Sequence, residues 1–189
     1  MKGNKKEILY IESNKKYPDE TEEVKQPKIE KQKNKLIKEL KENEENYILA
    51  EINIEKDDIN KDIRIINTFE EYKRINDLDD KEDDYKYENE KEIKENCIIK
   101  INNKRIEFNN FYKFKEKGKY IIKYLFKKNI KNANCLFSEC NCLSNINLSN
   151  FNTQNVIDMS DMFYYCSSLK KQNVITNDKK ILLKLNNYC

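Results

Sequence analysis

Residues 143–169 read LSNINLSNFNTQNVIDMSDMFYYCSSL. Apolar side chains recur through them: Leu143, Ile146, Leu148 and Phe151, then Val156, Met159, Met162 and Phe163, then Cys166 and Leu169. The pattern stands once more, 26 residues earlier. Val156, Met159, Met162, Phe163, Cys166 and Leu169 fall on Ile130, Ala133, Leu136, Phe137, Cys140 and Leu143, while Leu148 and Phe151 fall more weakly on Ile122 and Leu125. A fixed period of this length marks stacked units, each burying its apolar face only against the next. Within a unit Ile146 and Leu148 alternate, as on a short strand. The Asn-rich NFNTQN that follows suits a turn. The spacing of Val156, Met159, Met162 and Phe163 predicts a helical or 3₁₀ return. Strands of successive units are expected to lie side by side, about 4.8 Å apart.

Leu143-Ser144-Asn145-Ile146-Asn147-Leu148-Ser149-Asn150-Phe151-Asn152-Thr153-Gln154-Asn155-Val156, with Met159-Ser160-Asp161-Met162-Phe163 and Cys166-Ser167-Ser168-Leu169, resembles the BspA-type leucine-rich repeat of bacterial and protist surface proteins. The resemblance implies a right-handed repeat solenoid that displays a surface for adhesion or protein contact, and it implies no catalytic residues. Such arrays are usually long, whereas this chain has about two units. The second decays after Leu169, with Gln172 where Ile146 stood and Asn177 where Phe151 stood.

Composition excludes several functions. The 189 residues include no His and only two glycines, Gly3 and Gly118. Without His, no Ser-His or Cys-His arrangement can be assembled within the chain. Two distant glycines build neither a P-loop nor a dinucleotide-binding turn. The expectation is therefore a chain that is not an enzyme and takes no cofactor. Charged residues make up 38% and the net charge is only +3, which gives no global argument for nucleic acid. With a mean hydropathy of −1.00, part of the chain is expected to be solvated. No apolar run reaches the roughly 20 residues of a membrane span. The apolar stretch Ile8–Ile11 is too short for a signal peptide, which argues for the cytoplasm, whereas the family resemblance argues for the cell surface.

Residues 1–46 hold both prolines and dense mixed charge, and read as disordered, with one possible helix over 28–44 carrying Ile29, Leu36, Ile37 and Leu40 on a face. Residues 47–128 read as a small β-rich domain. Its expected strands are Tyr47–Ile54, Asp62–Asn67, Cys97–Ile101, Arg105–Phe108 and Lys119–Phe126, with a turn at Asn102-Asn103. A short helix is expected over Glu70–Leu78, with Thr68 as N-cap and Glu71 at capping-box spacing. Residues 77–96 hold ten Asp or Glu against four Lys and read as a solvated acidic loop. Residues 97–128 carry ten Lys or Arg against two Glu, interleaved with aromatics, a pattern shared by nucleic-acid or membrane binders and by any half-exposed strand.

The repeats occupy 120–173, and 174–189 is expected to close the last unit, with Ile181-Leu182-Leu183-Lys184-Leu185 forming a short helix. Four of the six cysteines lie in the repeats. Their spacing suits no metal site, and Cys140 and Cys166, one period apart, should stack as buried thiols. A disulfide would require export.

The fold class is thus α+β, mainly β: a β-rich domain, then a short leucine-rich-repeat solenoid, after a disordered or helical N-terminal segment. The function expected is a non-enzymatic protein-interaction module, with a protein partner contacted through Asn145, Asn147, Ser149, Asn150 and Asn152 beside the repeat strands. The alternative is an intracellular scaffold or regulatory protein that binds through the N-terminal helix or the acidic loop.

Overall fold

The computed structural model describes residues 46–81 and 84–185, and all of them belong to one compact unit. The expected N-terminal disorder and the helix over 28–44 lie outside these residues, as does the end of the C-terminal segment. The strands are β1 (Tyr47–Ile54), β2 (Ile63–Arg64), β3 (Cys97–Ile101), β4 (Lys104–Ile106), β5 (Phe111–Tyr112), β6 (Gly118–Phe126), β7 (Leu143–Asn147) and β8 (Val174–Ile175). The α-helices are α1 (Phe69–Ile75), α2 (Glu90–Asn96) and α3 (Lys179–Leu185). The architecture is mixed and mostly strand, built on an open six-stranded sheet in the order β4-β3-β6-β1-β7-β8. Strands β2 and β5 form a separate pair.

Period-two alternation sets the sheet. Ile48, Ala50, Ile52 and Ile54 of β1 face one side and are buried, together with Ile122, Tyr124 and Phe126 of β6 and Cys97, Ile99 and Ile101 of β3. Antiparallel pairing holds these rows in line. Asn102 and Asn103 both adopt positive φ (46° and 67°), the conformation that a two-residue hairpin between β3 and β4 demands. The fourth strand is shorter than expected, ending at Ile106, and Phe111 and Tyr112 leave the main sheet to pair with β2. On the buried side, Phe114 packs on Tyr120, Phe137 on Tyr124 and Phe151 on Phe126.

The two 26-residue units stack directly along their second halves. Ile157 N donates to Lys131 O, Ala133 N to Asp158 O, Cys135 N to Ser160 O, Phe137 N to Met162 O and Glu139 N to Tyr164 O, at 2.7–3.0 Å. Their internal turns repeat as well. Ser138 N to Cys135 O is followed one period later by Tyr164 N to Asp161 O, and Cys140 N to Phe137 O by Cys166 N to Phe163 O. Positive φ recurs in step, at Cys135 and Asp161 and again at Glu139 and Tyr165. The Asn132 carboxamide accepts from Asn134 N just as the Asp158 carboxylate accepts from Ser160 N. The aromatic rings of Phe137 and Phe163 lie stacked, 6.0 Å apart and 6° from parallel.

Two expectations fail here for physical reasons. The segment after the Asn-rich turn is a chain of i→i+3 turns, not a continuous helix. In the first unit every second amide from Ala133 to Glu139 donates sideways, and in the second the Asp158, Ser160, Met162 and Tyr164 carbonyls accept those bonds, so neither segment keeps the i→i+4 ladder of a helix. Nor do the strands of successive units touch. Strand β1 lies between β6 and β7, antiparallel to both. Residues 127–142 are ample to span the extra strand width of about 4.8 Å. The LxxIxL spacing is accommodated by a bulge. Ile52 faces Leu143 and Glu51 faces Asn145, so Ser144 is the extra residue and its hydroxyl donates to Glu51 O. Leu143 and Ile146, three apart, therefore both face the core.

The acidic segment is also more ordered than expected. It contains helix α2, whose Ile93 is buried. Four of its carboxylates, Asp80, Asp84, Glu90 and Glu92, meet particular donors. Arg74 bridges Glu71 and Glu90, and Lys73 pairs with Asp80 at 2.6 Å and with Asp84. The Glu70 carboxylate accepts from the Asn89 and Glu90 amides at the start of α2, and Glu92 accepts from the Lys131 and Asn132 amides. The expected capping box of α1 is half formed. Thr68 Oγ1 accepts from Glu71 N, but the Glu71 carboxylate turns to Arg74.

After Leu169 the period slips. Strand β8 pairs parallel to β7 with Val174 opposite Ile146, 28 residues apart, so the segment adds a strand before helix α3 buries Ile181.

Candidate interaction surface

The odd-numbered residues of β1 and β6 point away from the core. Register places Tyr47 beside Leu125 and Ile98, Leu49 beside Lys123, and Glu51 beside Ile121. Ile121 remains 46% exposed. One row crosses the whole sheet: Arg105, Lys100, Lys123, Leu49, Asn147 and Ile175 stand opposite one another on successive strands. Its first three members are cations in adjacent positions. Like charges directly opposite each other on neighbouring strands are destabilising. Lys123 Nζ finds partial relief over the Tyr47 ring, 4.1 Å from its centroid. On the next row, Lys119 donates to Glu51 at 2.9 Å and holds that carboxyl below its usual range.

The five residues expected at the contact surface lie at one margin of this face. Asn145 and Asn147 are on β7, pointing outward, and Ser149, Asn150 and Asn152 are in the exposed turn that follows. Several carry structural bonds. Asn145 Nδ2 donates to Glu51, Asn147 Oδ1 accepts from Ser149 N, Asn150 Nδ2 donates to the Tyr47 hydroxyl, and Asn152 Oδ1 accepts from Gln154 N. Asn147 and Asn152 thus close turns with their own side chains. The cationic row is not legible in the sequence. The excess of Lys and Arg over 97–128 is visible, but only the register brings Lys100, Arg105 and Lys123 into one line.

The five described cysteines are buried or, at Cys142, half-buried, and no two of them are bonded. Burial raises the thiols of Cys135 and Cys166 to about 12 and holds Cys140 well above the ordinary thiol range. Cys166 Sγ donates to Phe137 O at 2.9 Å, across the two units. Among the described residues no group of three or more Cys, Asp or Glu side chains is placed to hold a metal ion, and no helix is long and apolar enough to cross a membrane.

No curated protein matches the chain, and neither does any solved structure. A family model does, over residues 76–184, which cover α2, the strands β3 to β8 and both stacked units. That span is more than half of the 189 residues, so the chain belongs to the family described as "Mycoplasma protein of unknown function, DUF285".

Proposed function

We propose that this chain is a non-enzymatic protein-interaction module, that its two stacked units are a short array of the BspA leucine-rich-repeat type, and that the outward face of the sheet meets the partner. The observation that carries the reading is the row Arg105, Lys100 and Lys123, flanked by exposed Ile121 and by Leu49. Three aligned cations weaken a sheet on their own, and an acidic partner surface would relieve them. Apolar neighbours would supply contact area, and the charges would set orientation and association rate. Asn145, Asn147, Ser149, Asn150 and Asn152 would form the rim.

The acidic segment supports the alternative scaffold reading less well, because Asp80, Asp84, Glu90 and Glu92 are already bonded within the unit. The reading is tested by quantitative affinity capture on the immobilised chain from extracts of cells that make it, run in parallel with a Lys100→Glu/Lys123→Glu variant. Proteins with acidic surfaces enriched by the parent and lost from the variant, at unchanged melting temperature, are expected. The same set retained by both would reject this face. Protease treatment of intact cells tests the surface habit of the resembled family, since a displayed module is cleaved and an internal one is not.

A further inference from the structure

Apart from the sheet face, the chain carries a cleft of about 470 Å³ lined by Asp58, Asp62, Arg64, Phe111, Glu139 and Tyr165, among others. That volume lies in the range of small-molecule sites. At its wall Arg64 is only 8% exposed, with its guanidinium stacked on the Phe111 ring at 4.3 Å. Glu139 is its charge partner, but Nε to Oε2 is 3.7 Å, too long for a hydrogen bond. The other Glu139 oxygen accepts from Asn76 Nδ2 at 2.9 Å, which helps hold that carboxylate in place. Arg64 Nη1 is buried and has no hydrogen-bond partner. A buried donor left unmade costs about 1–3 kcal/mol, more when charged. Arg64 lines the cleft, and a turn of its guanidinium would present Nη1 to an acceptor that arrives there.

The remaining lining selects the ligand. Asp58, Asp62 and Glu139 are three carboxylates, against Arg64 and the Lys113 that pairs with Asp62 at 3.3 Å. The balance is one negative charge in excess. A simple anion would satisfy Arg64 and meet net repulsion. A simple cation would satisfy the carboxylates and leave the Arg64 donors unmade. A molecule carrying both groups answers both, with a planar carboxylate for the guanidinium fork and an ammonium for Asp58 and Asp62. Phe111 and the 67% exposed Tyr165 offer aromatic surface for an apolar side chain.

We infer that this cleft binds a zwitterion of amino-acid size, with its carboxylate on Arg64 and its amine toward Asp58 and Asp62. The test is calorimetric and NMR titration of the full chain with three probes: L-phenylalanine, L-phenylalaninamide, which lacks the carboxylate, and 3-phenylpropionate, which lacks the amine. Saturable binding of phenylalanine is expected, with amide shifts at residues 62–65 and 139–142. Each truncated probe should bind at least about tenfold more weakly, which is one charge-assisted contact of about 1.4 kcal/mol. Arg64→Met should abolish binding. If that variant fails to fold, Asp62→Asn, at a more exposed position, should weaken phenylalanine about tenfold and leave 3-phenylpropionate unchanged or improved. No binding of phenylalanine, equal binding of 3-phenylpropionate or of the amide, or undiminished binding to folded Arg64→Met would each overturn the inference.

Discussion

The two stacked units share a pattern, a set of turns and a ring pair, yet they differ in depth. Phe137 and Ala133 are fully buried, while their counterparts Phe163 and Met159 are 8% and 5% exposed. Cys140 is 1% exposed and Cys166 9%, and Leu143 is buried where Leu169 is only half-buried. The first unit lies between the sheet core and the second, whereas the second has its partner on one side. Equivalent residues in a repeat are therefore not equivalent in energy. The inner copy specifies the fold, and the outer copy depends on what closes it.

This contrast orders the expected effects. Phe137 packs on both Tyr124 and Phe163, so Phe137→Ala should cost about 5 kcal/mol, the upper end for a buried aromatic. Phe163→Ala should cost about 3 kcal/mol, the lower end. Urea unfolding measures both, and equal losses would erase the difference between inner and outer copies. Closure of the outer unit rests in part on Ile181 of α3, which is buried, and on Asp178, whose backbone carbonyl and carboxylate accept amides of that helix while its carboxylate also meets the Thr153 hydroxyl. Ile181→Ala should lower stability by about 2 kcal/mol, and a melting temperature that does not move would leave the outer copy without its cover.

The smallest effect is electrostatic and lies away from the stack. Arg74, and then Lys94, hold the Glu90 carboxyl at about 2, against an ordinary value of 4.5. Its folded value is the lower one, so its contribution is complete above the ordinary value and is lost as pH falls toward 2. Glu90 lies near the surface, so Glu90→Gln should cost about 0.5 kcal/mol at neutral pH. It should flatten the loss of stability below pH 4.5. A variant with the parent's acid profile would show that the bridge contributes nothing.

What was legible in the sequence follows from how local each signal is. Strands β1 and β3 appear over the expected residues because strict alternation leaves one way to bury Ile48, Ile52, Ile99 and Ile101. Every position of the 26-residue pattern is buried except Leu169, which is half-buried. The pattern does not fix the geometry, because spacings of three and four also fit a chain of turns whose backbone bonds sideways. Helix α2 was hidden because a single apolar residue, Ile93, stands among six polar ones. The position of β1 between β6 and β7 is a matter of topology, which periodicity does not record. The same holds for the cationic row and for the Arg64 cleft. Asn147 and Asn152 look like display residues by composition, yet they close turns, a use that the sequence does not distinguish from exposure.

The stacking of one unit on the other is tested most directly by a double-mutant cycle on Phe137 and Phe163, using Leu at each position to keep both sites apolar. Stacked rings predict a coupling of about 0.5–1.5 kcal/mol between the two losses. Losses that add to within about 0.3 kcal/mol would mean that the rings do not meet, and would contradict the 26-residue stack itself.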